Sequence, residues 1–210
     1  PMEIIEHQGA DPLRFTLAVM AGQGRDVKLS TDRIEGYRAF CNKLWNATKF
    51  LHLHVDKNNF NGANLDSTEK WVKENASKLS IESKWILCSL QEVIRDVAHG
   101  FENFELNVSS QAIYHFTWHE LCDWFIEFSK TPLSGEENEK KETLYVLHYL
   151  LEQSLKLLHP IMPYLTEQLW LSLPWKAFQS HPSLMLQKFP QPESEFESKV
   201  FKNASKEVGE

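Results

Sequence analysis

Apolar residues recur at alternating steps of three and four along four separate stretches of this chain. That period selects amphipathic helices packed into a bundle. From Thr31 to about Leu53 the stripe is Ile34, Tyr37, Cys41, Leu44, Thr48 and Leu51, with Asp32 and Glu35 read as a capping pair at its start. From Ile81 to Phe101 it is Ile86, Leu90, Val93, Val97 and Phe101. From about Ser109 to Phe128 it is Tyr114, Trp118, Leu121, Phe125 and Phe128, and from Lys141 to Leu158 it is Leu144, Leu147, Leu151, Leu155 and Leu158. Pro160 then breaks the pattern, and Ile161, Leu165, Leu169 and Leu173 predict one shorter helix. Nothing alternates strand with helix, so the expected fold class is all-α.

The connections read as loops. Asp56 to Leu65 is rich in Asn and Gly, with a short helix expected around Glu69 to Ala76; Leu133 to Lys141 is polar and charged. Ser183 to Leu186 reads as a short extended segment. The expected organisation is a connector over residues 1–30, a helical domain over 31–190, and a polar tail or stub of a further element over 191–210. Within the connector, Gly9 to Phe15 leads into a short helix ending near Met20, which Gly22 and Gly24 interrupt.

Composition excludes several classes. At 210 residues the chain is long enough for a sizeable core, and 42% apolar with 24% charged residues is ordinary for a soluble globular protein. No apolar run approaches a membrane span, and Pro1-Met2-Glu3-Ile4 shows no leader. An opening on Pro1 reads as part of a longer polypeptide. Three scattered cysteines, Cys41, Cys88 and Cys122, point to a reducing compartment without a disulfide framework. The net charge of −7 runs against a free-standing nucleic-acid binder, though not against a local basic face.

Catalytic signatures are missing: no Gly-rich phosphate loop and no nucleophile elbow is present. His115 and His119, four apart, share a helix face at a spacing that metals use, but no third ligand is recognisably placed, and two helix-surface or half-buried histidines are the plainer reading. Cys122 beside Asp123 reads as a small buried hydrophobe. More informative is the series Arg38, Asn42, Trp45 and Lys49, at steps of four, three and four on the first long helix. Cations hold phosphates, amides bond base edges and aromatics stack on bases, so this face fits RNA. Such a series is more often the boundary face of a bundle helix, with Trp45 in the core.

Longer motifs narrow the choice. Gly9-Ala10-Asp11-Pro12-Leu13-Arg14-Phe15 resembles the GADALRF segment that follows the KMSKS loop in the class I aminoacyl-tRNA synthetases for valine, isoleucine and leucine. Asn42-Lys43-Leu44-Trp45-Asn46-Ala47 resembles their NKLWNA segment. Leu158-His159-Pro160-Ile161-Met162-Pro163 and Thr166-Glu167-Gln168-Leu169-Trp170 resemble segments late in their anticodon-binding domain. Gly24-Arg25-Asp26-Val27, the run Glu35 to Ala47, Phe116-Thr117-Trp118 and Cys122-Asp123-Trp124-Phe125 are similar to the bacterial valyl members in particular. The resemblance covers residues 1 to about 190.

It implies a helical anticodon-binding domain whose partners are the valine tRNA and a catalytic domain of the same polypeptide. ATP and Mg would be used in that domain, and no cofactor in this chain. The HIGH and KMSKS motifs of the catalytic domain are absent from this sequence. By position, the resemblance assigns Phe50 and Ile126 as apolar contacts to an anticodon base, from two neighbouring helices. Plain core packing competes with that role for both. Where a basic residue is frequent stands Asp32, so Arg33 beside it is taken as the basic contact, and Lys49 stands where Arg is common. The resemblance also implies a cytoplasmic protein with no membrane contact. The alternatives are the same domain of an isoleucyl or leucyl enzyme, which the FTW and CDW segments disfavour. A helical protein-interaction module, which the acidic charge would suit, and a metal-holding bundle resting on His115 and His119 also remain.

Overall fold

Ser30, rather than the expected Asp32–Glu35 pair, starts the first long helix: its hydroxyl accepts from the Arg33 N–H at 3.4 Å. Ser80 does the same for the Ser83 N–H at 3.2 Å, and a reciprocal box between Glu136 and Glu139 starts a third long helix at Glu137, ahead of the expected Lys141. Pro163 fits the first turn of a shorter one, where its missing N–H has no partner to lose.

The computed structural model describes residues 2–22, 29–58, 68–174 and 183–209, and among them no strand is present. The helices are α1 (Met2–Gln8), α2 (Ala10–Met20), α3 (Thr31–Lys57), α4 (Thr68–Asn75), α5 (Ile81–Glu102) and α6 (Leu106–His115). They continue as α7 (Ile126–Ser129), α8 (Glu137–Leu158), α9 (Pro163–Ser172) and α10 (Lys199–Gly209). A π-helical segment, Phe116–Phe125, joins α6 to α7, so the expected third helix is one rod with widened turns. No helix among the described residues is long and apolar enough to cross a membrane. The expected loop at Asp56–Leu65 falls largely outside the described residues, which end at 58 and resume at 68; Asp56 and Lys57 are still helical.

α8 forms the axis. Leu144, Leu147, Leu151, Leu155 and Leu158 are all fully buried, as their spacing predicts. Tyr145, Val146, Tyr149 and Leu150 on its other faces are buried too, as expected of a helix enclosed on all sides. α5 and α6 approach closely enough that a Cβ on Gly100 would come within 2.3 Å of the Ser109 hydroxyl, which itself donates to the Val97 carbonyl at 2.9 Å.

Three stretches differ from expectation. α2, read as part of a connector, lies in the core: Phe15 is fully buried, with its ring 5.0 Å from Tyr37 and 5.3 Å from Phe40. The Asp11 carboxylate accepts from the Leu165 N–H at 2.5 Å and the Tyr164 N–H at 3.4 Å, and Arg14 donates to the Ile161 carbonyl at 2.8 Å. Two motifs 150 residues apart in sequence are therefore one contact: Gly9–Phe15 supplies the cap that α9, beginning with proline, lacks. Burial raises the Asp11 carboxyl above its usual range, against the lowering effect of those N–H groups.

The stretch 191–210, read as a polar tail or stub, contains a tight turn (Ser194–Glu197) and α10. Phe196 is fully buried against Tyr149 and Phe201, and Phe201 and Ala204 are buried on α5. Phe201, Ala204 and Val208 of α10 fall at steps of three and four, enough for one narrow stripe. Finally, Leu184–Leu186 is a 3₁₀ turn rather than an extended segment. The Ser183 hydroxyl accepts from the Met185 N–H at 3.3 Å, and Glu167 accepts from the Leu184 N–H at 3.0 Å, folding the backbone back.

Candidate nucleic-acid interface

α3 buries one stripe and leaves the opposite face to solvent. Ile34, Leu44 and Leu51 are fully buried, as is Phe40, which the sequence stripe left out. Arg38, Asn42, Trp45 and Lys49 are all exposed, so Trp45, at 39% exposure, is not a core residue. Leu53, 62% exposed, extends this face toward the C-terminal end of the helix. Arg38 is partly engaged, donating to the His7 carbonyl at 3.3 Å and to Gln8 Oε1 at 3.5 Å. Asn42 and Lys49 make no hydrogen bond or ion pair among the described residues. Two free polar groups beside an exposed indole can stack a base and hold a phosphate.

α3 runs parallel to the α6–π–α7 rod. Tyr37 faces Tyr114 at 5.8 Å, Phe40 faces Trp118 at 6.3 Å, and Lys43 reaches both Trp118 and Asp123 further along. That register brings Phe50 and Ile126 to the same end of the pair. Both are half-buried: each packs against the core and keeps an accessible edge. The Phe50 ring lies 4.5 Å from the His54 ring, whose pKa is lowered by burial and by the nearby Lys57 charge. Arg33 is elsewhere. It is exposed in the first turn of α3, seventeen residues from Phe50, or about 25 Å at 1.5 Å per residue. One base cannot touch both; they address different stretches of a bound strand.

Lys43 was missed as a functional candidate. It sits between the exposed stripe and the core, its ammonium 4.0 Å from the centre of the Trp118 ring and paired with the Asp123 carboxylate. The signal lay in the quoted motifs, which carry Lys43 and Asp123 separately; nothing in either spacing joins them. Trp124, 57% exposed on the rod, was also passed over.

The other candidates are accounted for locally. His115 lies 3.5 Å from Glu120 and His119 3.4 Å from Asp123, with the imidazole rings 5.1 Å apart. Among the described residues no three His, Cys, Asp or Glu side chains converge as a metal site would need. Burial pushes the Cys41 and Cys122 thiols up to about 12, which keeps them protonated and unreactive at neutral pH.

Residues 83–210 match the family model described as the anticodon-binding domain of tRNA ligase, and the chain belongs to that family. Its relatives include the valine–tRNA ligase of Fervidobacterium nodosum, 43% identical over 196 residues, covering 93% of this chain and 21% of that protein. Those of Agrobacterium fabrum and Rhizobium meliloti are 45% and 47% identical, covering 92% and 81% of this chain and 19% and 17% of theirs. The chain thus spans about a fifth of the length of the curated relatives it matches. The fold is shared with a solved LeuRS–tRNA–LeuAMS ternary complex from Agrobacterium radiobacter K84, with a TM-score of 0.61 at 18% identity over 93% of this chain and 21% of that one.

Proposed function

We propose that this chain reads the anticodon of a valine tRNA, as the anticodon-binding part of a valine–tRNA ligase, and forms no covalent bond itself. The observation that carries this reading is the family match together with valine–tRNA ligase relatives at 43–47% identity over most of the chain. The geometry supports it. Asn42, Trp45 and Lys49 offer an exposed polar–aromatic strip, and Phe50 with Ile126 offers an apolar edge at one end of the same helix pair. Loop bases that are splayed out bind by stacking and edge contacts, while cations hold the backbone. Arg33 and Arg38 serve as backbone contacts nearer the start of α3. On this reading ATP and Mg are handled by a catalytic part of the ligase, which with the tRNA is this chain's partner, and the compartment is the cytoplasm.

With a net charge of −7, affinity rests on a few local cations and falls steeply with salt. Binding of the chain to a valine tRNA transcript and to the same transcript with a swapped anticodon, at low and moderate salt, tests the reading. Preference for the valine anticodon is the expected result. Equal binding to both contradicts anticodon reading by this chain, and no binding at low salt contradicts RNA binding altogether.

A further inference from the structure

The π segment gives the α3–rod contact a feature that an ordinary helix would not have. Trp118 and Asp123, five residues apart, both engage Lys43. In an α-helix five residues turn about 500°, leaving the two side chains about 140° apart round the axis. In a helix closed by i→i+5 bonds they return to the same side of the axis. The five-residue spacing recurs at the start of the segment, where His115 meets Glu120 at 3.5 Å, while His119 and Asp123 keep a four-residue contact at 3.4 Å. The backbone over Phe116–Phe125 is π-helical, and the Trp118–Asp123 and His115–Glu120 placements follow from it.

That register is the rarer one and needs contacts that hold it. Lys43 supplies them from α3. Its ammonium pairs with one oxygen of Asp123 and lies over the Trp118 ring, while the other Asp123 oxygen is 3.4 Å from His119 Nδ1. No other ion pair joins α3 to the segment among the described residues. Ile126 is the first residue beyond the segment. A π turn holds about one residue more than an α turn, so over the segment the two registers diverge by about half a turn. Relaxation to an α-helix would turn Ile126 to another side of the rod relative to α3.

We infer that Lys43, with Asp123 and Trp118, is a positioning residue for anticodon discrimination: it clamps the π register that sets which side of the rod Ile126 occupies, at the end of the helix pair where Phe50 lies. The inference rests on the anticodon reading above. Lys43 acts through the rod, not as a contact to the base.

The test compares wild type, Lys43→Met, Asp123→Asn and the charge exchange K43D/D123K. Each is titrated with valine anticodon stem-loop RNA and with the swapped-anticodon loop, and amide hydrogen exchange is followed across residues 116–126. Each single variant is expected to lose about tenfold in preference, the equivalent of about 1.4 kcal/mol, while affinity for the swapped loop stays within about twofold. Amides 116–126 should exchange faster, and the charge exchange, which re-forms the ion pair but not the contact over Trp118, should restore both readouts in part. Equal loss on both RNAs for Lys43→Met would make Lys43 a phosphate contact and overturn the proposal. Faster exchange with preference intact would leave the ion pair merely stabilising and overturn it too, as would unchanged exchange. A wild type that prefers neither RNA overturns the anticodon reading and the discrimination role with it; the exchange data then still decide separately whether Lys43 holds the register.

Discussion

α8 and α3 are both long helices of the bundle, and they are buried in opposite styles. Between Thr143 and Leu158 of α8, only Glu152 and Lys156 escape the buried set, and they pair with each other at 2.7 Å. α3 is longer, 27 residues, yet buries just Ile34, Phe40, Leu44, Ala47, Thr48, Leu51 and Val55. An enclosed helix has no side chain to spare for a partner, so its sequence answers to packing alone. A helix buried along one stripe must solve packing on one side and leaves the other to be set by whatever binds there. The division of labour between axis and exposed face follows from that difference.

Substitutions that exchange the roles test the contrast, and the largest effect belongs to the axis. Leu151→Ala, at a fully buried position of α8, should cost about 2–5 kcal/mol by urea denaturation. Anticodon preference should be unchanged in the protein that remains folded. A stability loss below about 1 kcal/mol would show that α8 is not the enclosed element.

Acid should strike the same helix. His148 is buried beside Thr68 and Glu152, and burial lowers its pKa from 6.5 to about 4. The unfolded chain therefore binds the proton first, and stability falls as pH drops from 6.5 towards 4, by on the order of 3 kcal/mol in total. His148→Gln should flatten that limb of the stability–pH profile; an unchanged limb would assign it to other groups.

On α3 the order reverses. Phe50→Ala should weaken discrimination between anticodons by about 1–3 kcal/mol, the usual worth of a base–aromatic contact, and total binding by less. An equal loss on cognate and swapped RNA would leave Phe50 as packing. The smallest effect is expected from Lys49→Ala: uniform weakening on both RNAs, a salt slope lower by about 1, and stability within about 0.5 kcal/mol of wild type. A loss of stability beyond that would mean the exposed face is structural after all.

The bundle was legible because its core residues repeat. The Leu144–Leu158 series and the α3 stripe are periodic, and periodicity is what burial on one side imposes. Phe40 escaped because the neighbouring Tyr37 and Cys41 already satisfied the pattern. α10 escaped because Phe201, Ala204 and Val208 are too few to stand out among polar neighbours. The π segment could not be read from an α-period: Trp118, Leu121 and Phe125 satisfy steps of three and four, and the wider turn shows only in the backbone of Phe116–Phe125. Of the candidate face, spacing showed that Arg38, Asn42, Trp45 and Lys49 lie together but could not say whether Trp45 points inward. Lys43 and Asp123 are 80 residues apart, and no local rule joins them.

The most direct measurement is an amide-shift titration of the isotope-labelled chain with the valine anticodon stem-loop. The account predicts perturbations along Arg38–Phe50 of α3 and around Ile126, with the interior of α8 silent. Shifts centred on α10 or α5, with α3 unperturbed, would contradict it.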